Sequence, residues 1–351
     1  MRLSCVIPAT DGPPTLARCI DAIRHAEGPP DELIVVTEPA TAGPAAARNL
    51  GSLRATGEVL VFVDADVLVH ADAFVRIRAA FEREPAMTAL FGSYDDTPEA
   101  AGAVSGFRNL LHHHIHQEAG GAAGTFWAGL GAVRRDAFAA TGGFDSERHP
   151  YYVEDIELGM RLTAEGARAR LDPMLQGTHL KGWTLTQMVR SDYLGRGLPW
   201  ARLLLRSRRL PATLNLGWRH RLSALASVAG AVALALRRPR AAGIALLSLL
   251  ALNARFYRLL WRRRGPSQAV ASVGLHTLHH LTGVASAATV AIESLMARIA
   301  GSRSADKSGA GTPRSREAAP PATSAGQDRL MNEFGTPSTG SSPTTAKPKR
   351  S

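Results

Sequence analysis

The chain has 351 residues, of which 45% are hydrophobic, and its formal net charge is +11 at pH 7. This length allows one large domain with additions, and two cysteines are too few for a disulfide scaffold. The charge is concentrated between Lys181 and Arg264, where sixteen arginines and one lysine accompany a single acid, Asp192. Apolar runs interrupt these arginines, which favours an anionic membrane over nucleic acid as their partner.

The N-terminal region has the features of a cytoplasmic domain. Cys5 lies in the first predicted strand and Cys19 on the apolar face of the first predicted helix, so both are expected to be buried thiols in a reducing compartment. Met1 and Arg2 lead directly into a strand, and the apolar run there is too short for a secretory signal.

Strand and helix patterns alternate from residue 1 to about residue 180. Short apolar runs predict strands at Leu3–Ile7, Leu33–Val36, Val59–Val63 and Phe126–Val133, and helical spacing predicts helices over 16–23, 43–55, 74–81 and Glu154–Glu165, the last closed by Gly166. Strands that alternate with helices predict an α/β fold, with a mixed, mostly parallel sheet covered by helices on both faces.

Two carboxylates follow the third predicted strand. The apolar run that ends at Val63 is followed by Asp64-Ala65-Asp66. Anions at the end of a buried strand require a positive partner, because unpaired buried charge is costly. Mg²⁺ or Mn²⁺ carrying a diphosphate would satisfy them, since these cations prefer oxygen ligands and α/β sheets bind ligands at the carboxyl ends of strands.

A second acidic pair, Glu154-Asp155, begins the predicted helix over 154–165. The helix dipole favours carboxylates at this position, and an isolated pair of this kind is typical of a helix cap.

The order of several motifs along the chain is more specific than any one of them. They are Val6-Ile7-Pro8-Ala9, Ala47-Arg48-Asn49, Asp64-Ala65-Asp66, Gly142-Gly143-Phe144-Asp145, Glu154-Asp155 and Arg161-Leu162 with Gly166. This order resembles the family 2 glycosyltransferases over residues 1 to about 200. The resemblance implies a GT-A fold, the Rossmann-like fold of nucleotide-diphospho-sugar transferases. The basic, apolar C-terminal part resembles the membrane-associated branch of the family.

The resemblance implies a donor-binding role for three segments. Pro8, Ala9 and Asp11 match the loop that holds the base and ribose. Glu38 stands where the family usually has an aspartate on the nucleoside, although Val36-Thr37-Glu38-Pro39 departs from the usual turn. Arg48 matches an arginine close to the donor.

The resemblance also implies the catalytic residues. Asp64 and Asp66 match the pair that positions Mg²⁺ or Mn²⁺ on the diphosphate, with Asp66 as the direct ligand. Asp155 matches the catalytic base, with Glu154 beside it. A positioned carboxylate can deprotonate an acceptor hydroxyl as it attacks the anomeric carbon, and the metal neutralises the leaving diphosphate.

Residues near the end of the predicted catalytic domain have two interpretations each. His179 is a candidate third metal ligand, and Lys181 and Trp183 are candidates for contact with phosphate or acceptor; a solvated turn near the membrane is an equally good interpretation. Arg190 and Arg196 would bind phosphate if they point inward and lipid headgroups if they point outward, and headgroups are favoured.

Two further features concern the acceptor side. Trp127, with Gly129 and Gly131, lines the acceptor site or is a core tryptophan on a strand. The histidine tract 112–116 lacks the cysteine or carboxylate partners of a structural metal site, so it is predicted to be a helix that faces the acceptor cleft or the membrane surface.

The C-terminal half contains three apolar segments. Leu222–Leu236 and Ala241–Ala254 are short for a membrane span, whereas Ala269–Ile292 is long enough but contains three histidines. A helical hairpin in the membrane, helices in the interface plane and a soluble helical subdomain remain open, with membrane attachment favoured. The predicted organisation is a catalytic domain over 1–200, membrane-associated helices over 201–300 and a disordered tail over 301–351.

Together these features predict an inverting, metal-dependent hexosyltransferase. It would move a sugar from a UDP- or GDP-linked donor to a membrane-associated or lipid-linked acceptor, at the inner cell membrane with its catalytic domain in the cytoplasm. A nucleotidyltransferase is the first alternative, but Val6–Pro13 lacks a glycine-rich phosphate loop. An inactive, transferase-like membrane scaffold is the second. Nucleic-acid binding is not expected, because the basic residues flank alanine and leucine runs and not stacking aromatics.

Overall fold

The computed structural model describes residues 1–207, 214 and 217–308, with residues 301–308 described by their backbone alone. Residues Met1–Arg298 form one compact unit; the second unit, Ile299–Ser351, is described only to Ser308, as helix. One eight-stranded sheet contains β1 (Leu3–Pro8), β2 (Glu32–Val36), β3 (Val59–Val63), β4 (Val67–Val69), β5 (Met87–Tyr94), β6 (Gly121–Ala123), β7 (Leu130–Arg134) and β8 (Arg168–His179).

The direction of the strands brings several chain segments to one edge of this sheet. The order is β2-β1-β3-β7-β5-β8-β4, with β6 paired to β8. Strands β2, β1 and β3 are parallel, β7 is antiparallel to both β3 and β5, and β5 is parallel to β8. The carboxyl ends of β1, β2, β3, β5 and β8 therefore lie at the same edge as the start of β7. We call this the carboxyl edge.

Helices cover both faces of the sheet. Within the catalytic part they are α1 (Leu16–Arg24), α2 (Pro44–Arg54), α3 (Ala73–Arg83), α4 (Ala103–Glu118), α5 (Arg135–Ala140) and α6 (Glu154–Ala164). One apolar cluster contains residues of α1 and α3, such as Ile23 and Phe74; the other contains Phe62, Phe138 and Leu158. The mixed sheet with helices on both faces agrees with the predicted fold class.

Further helices follow β8. They are α7 (Leu185–Arg190), a π-helical turn (Ser191–Gly195), α8 (Gly197–Ser207), α9 (Trp218–Ala235), α10 (Pro239–Leu252), α11 (Ala254–Arg264) and α12 (Pro266–Ser308). Thr184 begins α7 with a capping box, in which its hydroxyl accepts from the Gln187 N–H at 3.2 Å and its own N–H donates to Gln187 Oε1 at 2.9 Å.

The apolar C-terminal segments are helical. Pro266–Ala300 of α12 is long and apolar enough to cross a membrane, and α10 with α11 would pass the same test together but bends by 72° at Asn253. Helix α12 continues to Ser308. The first eight residues of the tail that was predicted to be disordered, 301–308, therefore have helical backbone. The rest of that tail lies outside the described residues.

Most predicted elements occur within one or two residues of their expected bounds, with one clear difference. The strand predicted over Phe126–Val133 begins only at Leu130. A Cβ at Gly131 would clash with the Trp127 carbonyl oxygen, and a Cβ at Gly129 would clash with the Trp127 indole. The chain therefore turns back on itself before β7, and Trp127 lies in a loop. The structure also contains β5 and β8, two long strands that the periodicity did not predict.

Candidate active site

Most of the predicted site residues lie at the carboxyl edge. The residues on the loops after β1 and β2 lie at the end of this edge where β2 is the outermost strand. Pro8 and Ala9 are buried, and the Ala9 N–H donates to the Val36 carbonyl at 2.9 Å, which joins the loops after β1 and β2. Asp11 and Glu38 are exposed on these loops. Their carboxylates are available to a ligand that lies across the two strand ends.

Arg48 lies at the centre of a buried ion cluster. Its side chain is 4% exposed, and its two terminal nitrogens bond Asp64 Oδ1 at 2.6 Å and Glu154 Oε1 at 2.8 Å. Burial lowers the pKa of Arg48, but Asp64, Glu154 and Asp155 together raise it above its ordinary value. Arg48 therefore joins α2, the end of β3 and the start of α6, and both of its terminal nitrogens are engaged by carboxylates of the protein.

Asp155 is held as a carboxylate with unusually high proton affinity. The Ala128 N–H donates to its Oδ2 at 3.1 Å, and the Ile156 N–H donates to its Oδ1 at 2.8 Å. Burial first, and the neighbouring charge of Glu154 second, raise the pKa of Asp155 to about 7, while Arg48 opposes this shift. A partly exposed carboxylate with this pKa can accept a proton near neutral pH.

The other motif residues position the helix that carries Asp155. Asn49 clamps the backbone of Phe144, accepting from its N–H at 3.0 Å and donating to its carbonyl at 2.8 Å. Arg161 of α6 donates to Glu157 at 2.6 Å and to the Gly143 carbonyl at 2.6 Å. Gly143 has φ of +70°, and a Cβ there would lie 2.7 Å from the Asn49 amide oxygen, so this turn requires glycine.

Asp66 faces His179 across the strands β4 and β8. His179 Nε2 lies 3.4 Å from Asp66 Oδ2, and the Leu180 N–H donates to the Asp66 carbonyl at 2.8 Å. Burial raises the pKa of Asp66, but His179 and Lys181 more than compensate and hold the pKa below its ordinary value. His179 Nδ1 donates to Asn109 Oδ1 at 2.5 Å, which orients the imidazole so that Nε2 faces Asp66.

This arrangement can take part in metal binding but does not form a complete cage. Among the described residues, no group of three or more His, Cys, Asp or Glu side chains is arranged to hold a metal ion. Asp66 offers hard carboxylate oxygens, and His179 offers an imidazole nitrogen oriented by Asn109. Mg²⁺ is usually held by one or two carboxylates together with substrate phosphates, so this donor set fits a divalent ion shared with a diphosphate.

An aromatic wall at the carboxyl edge was not found by sequence reasoning. Tyr94, the last residue of β5, stacks on His179 at 4.2 Å and meets Trp127 edge-on at 4.9 Å. His112 of α4 lies 4.2 Å from the Tyr94 ring and 4.7 Å from Trp127. The sequence signals were Trp127 and the histidine tract, whereas Tyr94 was missed because β5 itself was not predicted.

The histidine tract is helical, as expected, and its side chains separate. His112 and His116 contact Trp127 at the carboxyl edge, whereas His114 stacks on Phe256 of α11 at 5.3 Å. Burial lowers the pKa of His116 to about 4 and lowers that of His112 as well. These imidazoles are therefore neutral at physiological pH, and they can contact a ligand without adding charge.

Lys181 and Trp183 lie on the loop that leaves β8. The Trp183 ring lies between two cations, with Lys181 Nζ at 4.9 Å and Arg108 Cζ at 4.8 Å from its centroid. The Trp183 N–H donates to Ser105 Oγ at 2.9 Å. This loop is consequently attached to α4, close to His179 and Asp66.

The strand order, the acidic residues after β3 and the carboxylate at the start of α6 define a GT-A fold of the nucleotide-sugar transferase class. The family model described as "Glycosyl transferase family 2" matches residues 35–142, which include Arg48, Asp64 and Asp66. Residues 35–142 therefore match a family 2 glycosyltransferase domain, and this match supports glycosyltransferase activity.

Solved structures with a similar arrangement include three transferases. A mannosyltransferase from Pyrobaculum calidifontis in complex with GDP-Man and Mn²⁺ is 17% identical, with a TM-score of 0.49, and the match covers 82% of this chain and 86% of that one. GalNAc-T7 with UDP, GalNAc and Mn²⁺ is 15% identical, with a TM-score of 0.43 and coverage of 64% and 51%. Residues 1–349 of S. aureus TarS are 14% identical, with a TM-score of 0.40 and coverage of 81% and 90%. No curated protein sequence matches the chain.

Proposed function

We propose that this glycosyltransferase is metal-dependent and inverting, and that it moves a sugar from a UDP- or GDP-linked donor to a membrane-associated or lipid-linked acceptor. One observation carries the chemical part of this proposal. The Arg48 ion cluster joins Asp64 to Glu154, and so it ties the donor side of the carboxyl edge to the helix that carries the proposed base, Asp155.

The donor would lie across the ends of β1, β2 and β3. Asp11 and Glu38 would contact the nucleoside, next to Pro8 and Ala9, because both acids are exposed at that end of the carboxyl edge. The diphosphate would then lie toward Asp64 and Asp66. A divalent cation bound there supplies charge neutralisation of the leaving diphosphate. Asp66 would be its protein ligand, with His179 as a candidate second ligand.

Asp155 would act as the base in a single displacement. The acceptor hydroxyl passes its proton to the Asp155 carboxylate while its oxygen forms a bond to the anomeric carbon. The bond from that carbon to the diphosphate oxygen breaks on the opposite face, and its electron pair leaves with the diphosphate, so the anomeric configuration inverts. The pKa of Asp155, about 7, suits this step, since a general base works best when its pKa is near the operating pH.

The acceptor would approach along the aromatic wall. Trp127 lies beside Ala128, whose N–H bonds Asp155, and it also contacts Tyr94 and His112. An aromatic wall next to the base suits an acceptor with an apolar ring face, such as a pyranose.

Nucleotide binding tests the donor part of the proposal directly. Titration calorimetry of the purified protein with UDP and with GDP, each with and without Mn²⁺, is expected to show metal-dependent binding of one nucleotide. Asp66→Ala should lose that binding, whereas Asp136→Ala should keep it, because Asp136 is exposed at the opposite edge of the sheet. Absence of binding of either nucleotide under every metal condition would refute the donor site.

The surface of α12 supports the membrane part of the proposal. Polar residues of α12, among them Gln268, Ser272, His276 and Ser286, are buried against the protein, whereas Val270 and Ile292 are more than 60% exposed. A helix at the surface of a soluble protein has the opposite arrangement, with its apolar stripe inward. An outward apolar face suits lipid.

The hairpin of α9 and α10 also exposes apolar side chains. Leu225, Ile244 and Leu247 are each about two-thirds exposed. Arginines lie at both ends of this hairpin, at Arg219 and Arg221 and again at Arg237–Arg240. We therefore place residues 201–300 at the cytoplasmic surface of the cell membrane, attached to the catalytic domain over 1–200, because arginines next to apolar helices favour the cytoplasmic side and anionic headgroups.

Flotation with lipid vesicles tests this placement. The protein should float with vesicles that contain phosphatidylglycerol and less with pure phosphatidylcholine. Replacement of Leu225, Ile244 and Leu247 by serine should reduce flotation. The matched control replaces Leu53 and Met174, two exposed apolar residues of the catalytic part, and should float like the wild type. Equal losses in the two variants would contradict a role for the hairpin.

A further inference from the structure

Tyr152, two residues before Glu154, has an unusual backbone conformation. Its φ is +75°, in the left-handed region that favours glycine, and the residue is 53% exposed. A large side chain in this conformation costs free energy, and such residues persist only where the surrounding contacts hold them. They cluster at functional sites, so the contacts of Tyr152 indicate what fixes the loop before the proposed base.

The Tyr152 ring lies against the backbone of the π-helical turn. A Cβ at Gly195 would lie 3.1 Å from one ring atom of Tyr152 and 3.2 Å from two others, which is closer than ordinary van der Waals contact. Gly195 is buried and is the last residue of the turn, Ser191–Gly195. Because Gly195 has no side chain, the ring contacts the turn directly. Helical segments of the π type are rare and are frequent at functional sites.

The same loop contacts the start of α2 on its other side. A Cβ at Gly43 would lie 2.7 Å from the Pro150 carbonyl oxygen and 3.1 Å from the Tyr151 ring. Gly43 immediately precedes α2, the helix that carries Arg48. The loop over 150–153 is therefore wedged between α2 and the π-helical turn.

Helix α12 holds the π-helical turn through two hydrogen bonds. Asp192, whose side chain is 4% exposed, bonds His279 Nδ1 at 2.7 Å and is also paired with Arg108 of α4. The Tyr193 hydroxyl bonds Thr289 Oγ1 at 2.8 Å. The surface against which the Tyr152 ring packs is consequently fixed by the C-terminal helix.

The loop leads directly into the proposed base. Val153 is fully buried at the start of α6, and its carbonyl accepts from the Glu157 N–H at 2.9 Å. Asp155 lies in the first turn of this helix, where its carboxylate accepts from the N–H groups of Ala128 and Ile156. A shift of the loop would move the start of α6 and the carboxylate with it.

We propose that Tyr152 is a positioning residue that fixes the Asp155 carboxylate relative to α12, so that the membrane-associated part completes the active site. This inference rests on the proposed function, in which Asp155 is the base. The contacts run from α12 to the π-helical turn, from the turn to the Tyr152 ring, and from the loop to the start of α6. Because α12 exposes apolar side chains on its other face, lipid that holds this helix would also hold the base.

Direct contact with the acceptor is the alternative role for an exposed tyrosine next to the base. The geometry favours positioning, because part of the Tyr152 ring is covered by Gly195 and the backbone adopts a disfavoured conformation to bring it there. A tyrosine that served only as a surface for a ligand would not require this strain.

Native-state hydrogen exchange of the full chain in detergent, measured by mass spectrometry over residues 150–157, tests the coupling without a ligand. Thr289→Val removes the hydroxyl that bonds Tyr193 and should speed exchange in this segment by about threefold or more, the effect of losing one hydrogen bond. Thr277→Val is the matched control on the same helix and should leave the segment at the wild-type rate. Both hydroxyls also donate to a carbonyl of their own helix at 2.9 Å, so the two variants differ in the bond to Tyr193.

Variants of Tyr152 test whether the coupling passes through its ring. Tyr152→Ala should speed exchange over 150–157, whereas Tyr152→Phe keeps the ring and should not. Thr289→Val should have little further effect when added to Tyr152→Ala, because both changes act through one contact. Additive effects would indicate two independent losses of stability. Melting temperatures show whether each variant has folded.

Hydrolysis of a sugar donor tests the consequence for the base. The probes are UDP-glucose and GDP-mannose with Mn²⁺, and water takes the place of the acceptor: its oxygen bonds the anomeric carbon, its proton passes to Asp155, and the bond to the diphosphate breaks. Tyr152→Ala should slow hydrolysis by about tenfold or more, as expected when a reacting group is displaced. Nucleotide affinity should stay unchanged, and Tyr152→Phe should hydrolyse like the wild type.

The outcomes separate this inference from the proposed function. Equal exchange over 150–157 in Thr289→Val and Thr277→Val would overturn the coupling. Unchanged hydrolysis in Tyr152→Ala would overturn the positioning role in favour of an acceptor contact, since hydrolysis needs no acceptor. If the wild type hydrolyses neither donor, or Asp155→Asn hydrolyses it equally well, the failure lies with the proposed function, and the exchange rates still decide whether α12 holds the loop.

Discussion

Replacement of Asp155 by asparagine should stabilise the protein at alkaline pH while abolishing transfer. The pKa of Asp155 is about 7, against 3.8 for an unperturbed aspartate. The folded state therefore favours the protonated form, and ionisation costs stability progressively as the pH rises from about 4 to 7. Each unit of difference between the folded and unfolded pKa corresponds to roughly 1.4 kcal/mol, so the largest possible cost to the free energy of unfolding is about 4 kcal/mol. Partial exposure of the side chain lets water screen the charge, so we expect about 2 kcal/mol.

The matched control is Asp95→Asn. Asp95 is also buried, but hydrogen bonds from His70 and Thr178 outweigh the effect of burial and lower its pKa. Its ionised form stabilises the folded state above the unfolded pKa, and that stability is lost as the pH falls through the folded pKa. Asp95→Asn should therefore destabilise the protein at pH 8, which is opposite in sign to Asp155→Asn.

Thermal unfolding of the detergent-solubilised chain measures the stability change of each variant, including whether it is positive or negative. At pH 8 Asp155→Asn should melt about 4 °C or more above the wild type, and the difference should disappear near pH 4. The same variant should lose about 10²- to 10⁴-fold in turnover, as expected for removal of a general base. A melting temperature at or below that of the wild type at pH 8 would refute the idea that Asp155 carries a costly buried charge.

Three further predictions concern the same edge of the sheet. Turnover should rise with pH through about 7, because only ionised Asp155 accepts a proton; a flat profile from pH 6 to 8 would contradict this. Arg48→Lys keeps the charge but cannot bridge Asp64 and Glu154, so it should cost about 2–3 kcal/mol in unfolding free energy, and an unchanged denaturation midpoint would be inconsistent with the bridge. Trp127→Ala should raise the acceptor KM by about tenfold with little change in the donor KM, whereas equal changes would place Trp127 elsewhere.

Most helices and strands of the catalytic part could be predicted from the sequence. Apolar runs such as Val59–Val63 and helical spacing such as that around Phe74 specify their elements through side-chain periodicity, which depends only on neighbouring residues. Gly166 was correctly predicted to end α6, because φ of +90° at that position favours glycine. The order of motifs likewise indicated the family, since each motif consists of consecutive residues.

Other parts of the site depended on contacts between distant residues. Strand β8 contains Pro173, which cannot donate a hydrogen bond to a neighbouring strand, so a single strand from Arg168 to His179 was not evident from the sequence. Tyr94 became a site residue only because β5 pairs with β7 and β8, which carries its ring to His179. The role of Arg48 changed in the same way, from a residue expected near the donor to one paired with two carboxylates.

The sequence by itself determined the catalytic domain, its acidic residues and the basic, apolar character of the C-terminal helices, because composition and short-range periodicity encode them. Only the tertiary structure decided which charges are paired. Asp192 and His279 are 87 residues apart, and their hydrogen bond exists because α12 packs on the π-helical turn. Charge pairing follows from distances in the folded chain, and electrostatic energies between side chains fall with those distances and not with separation along the sequence.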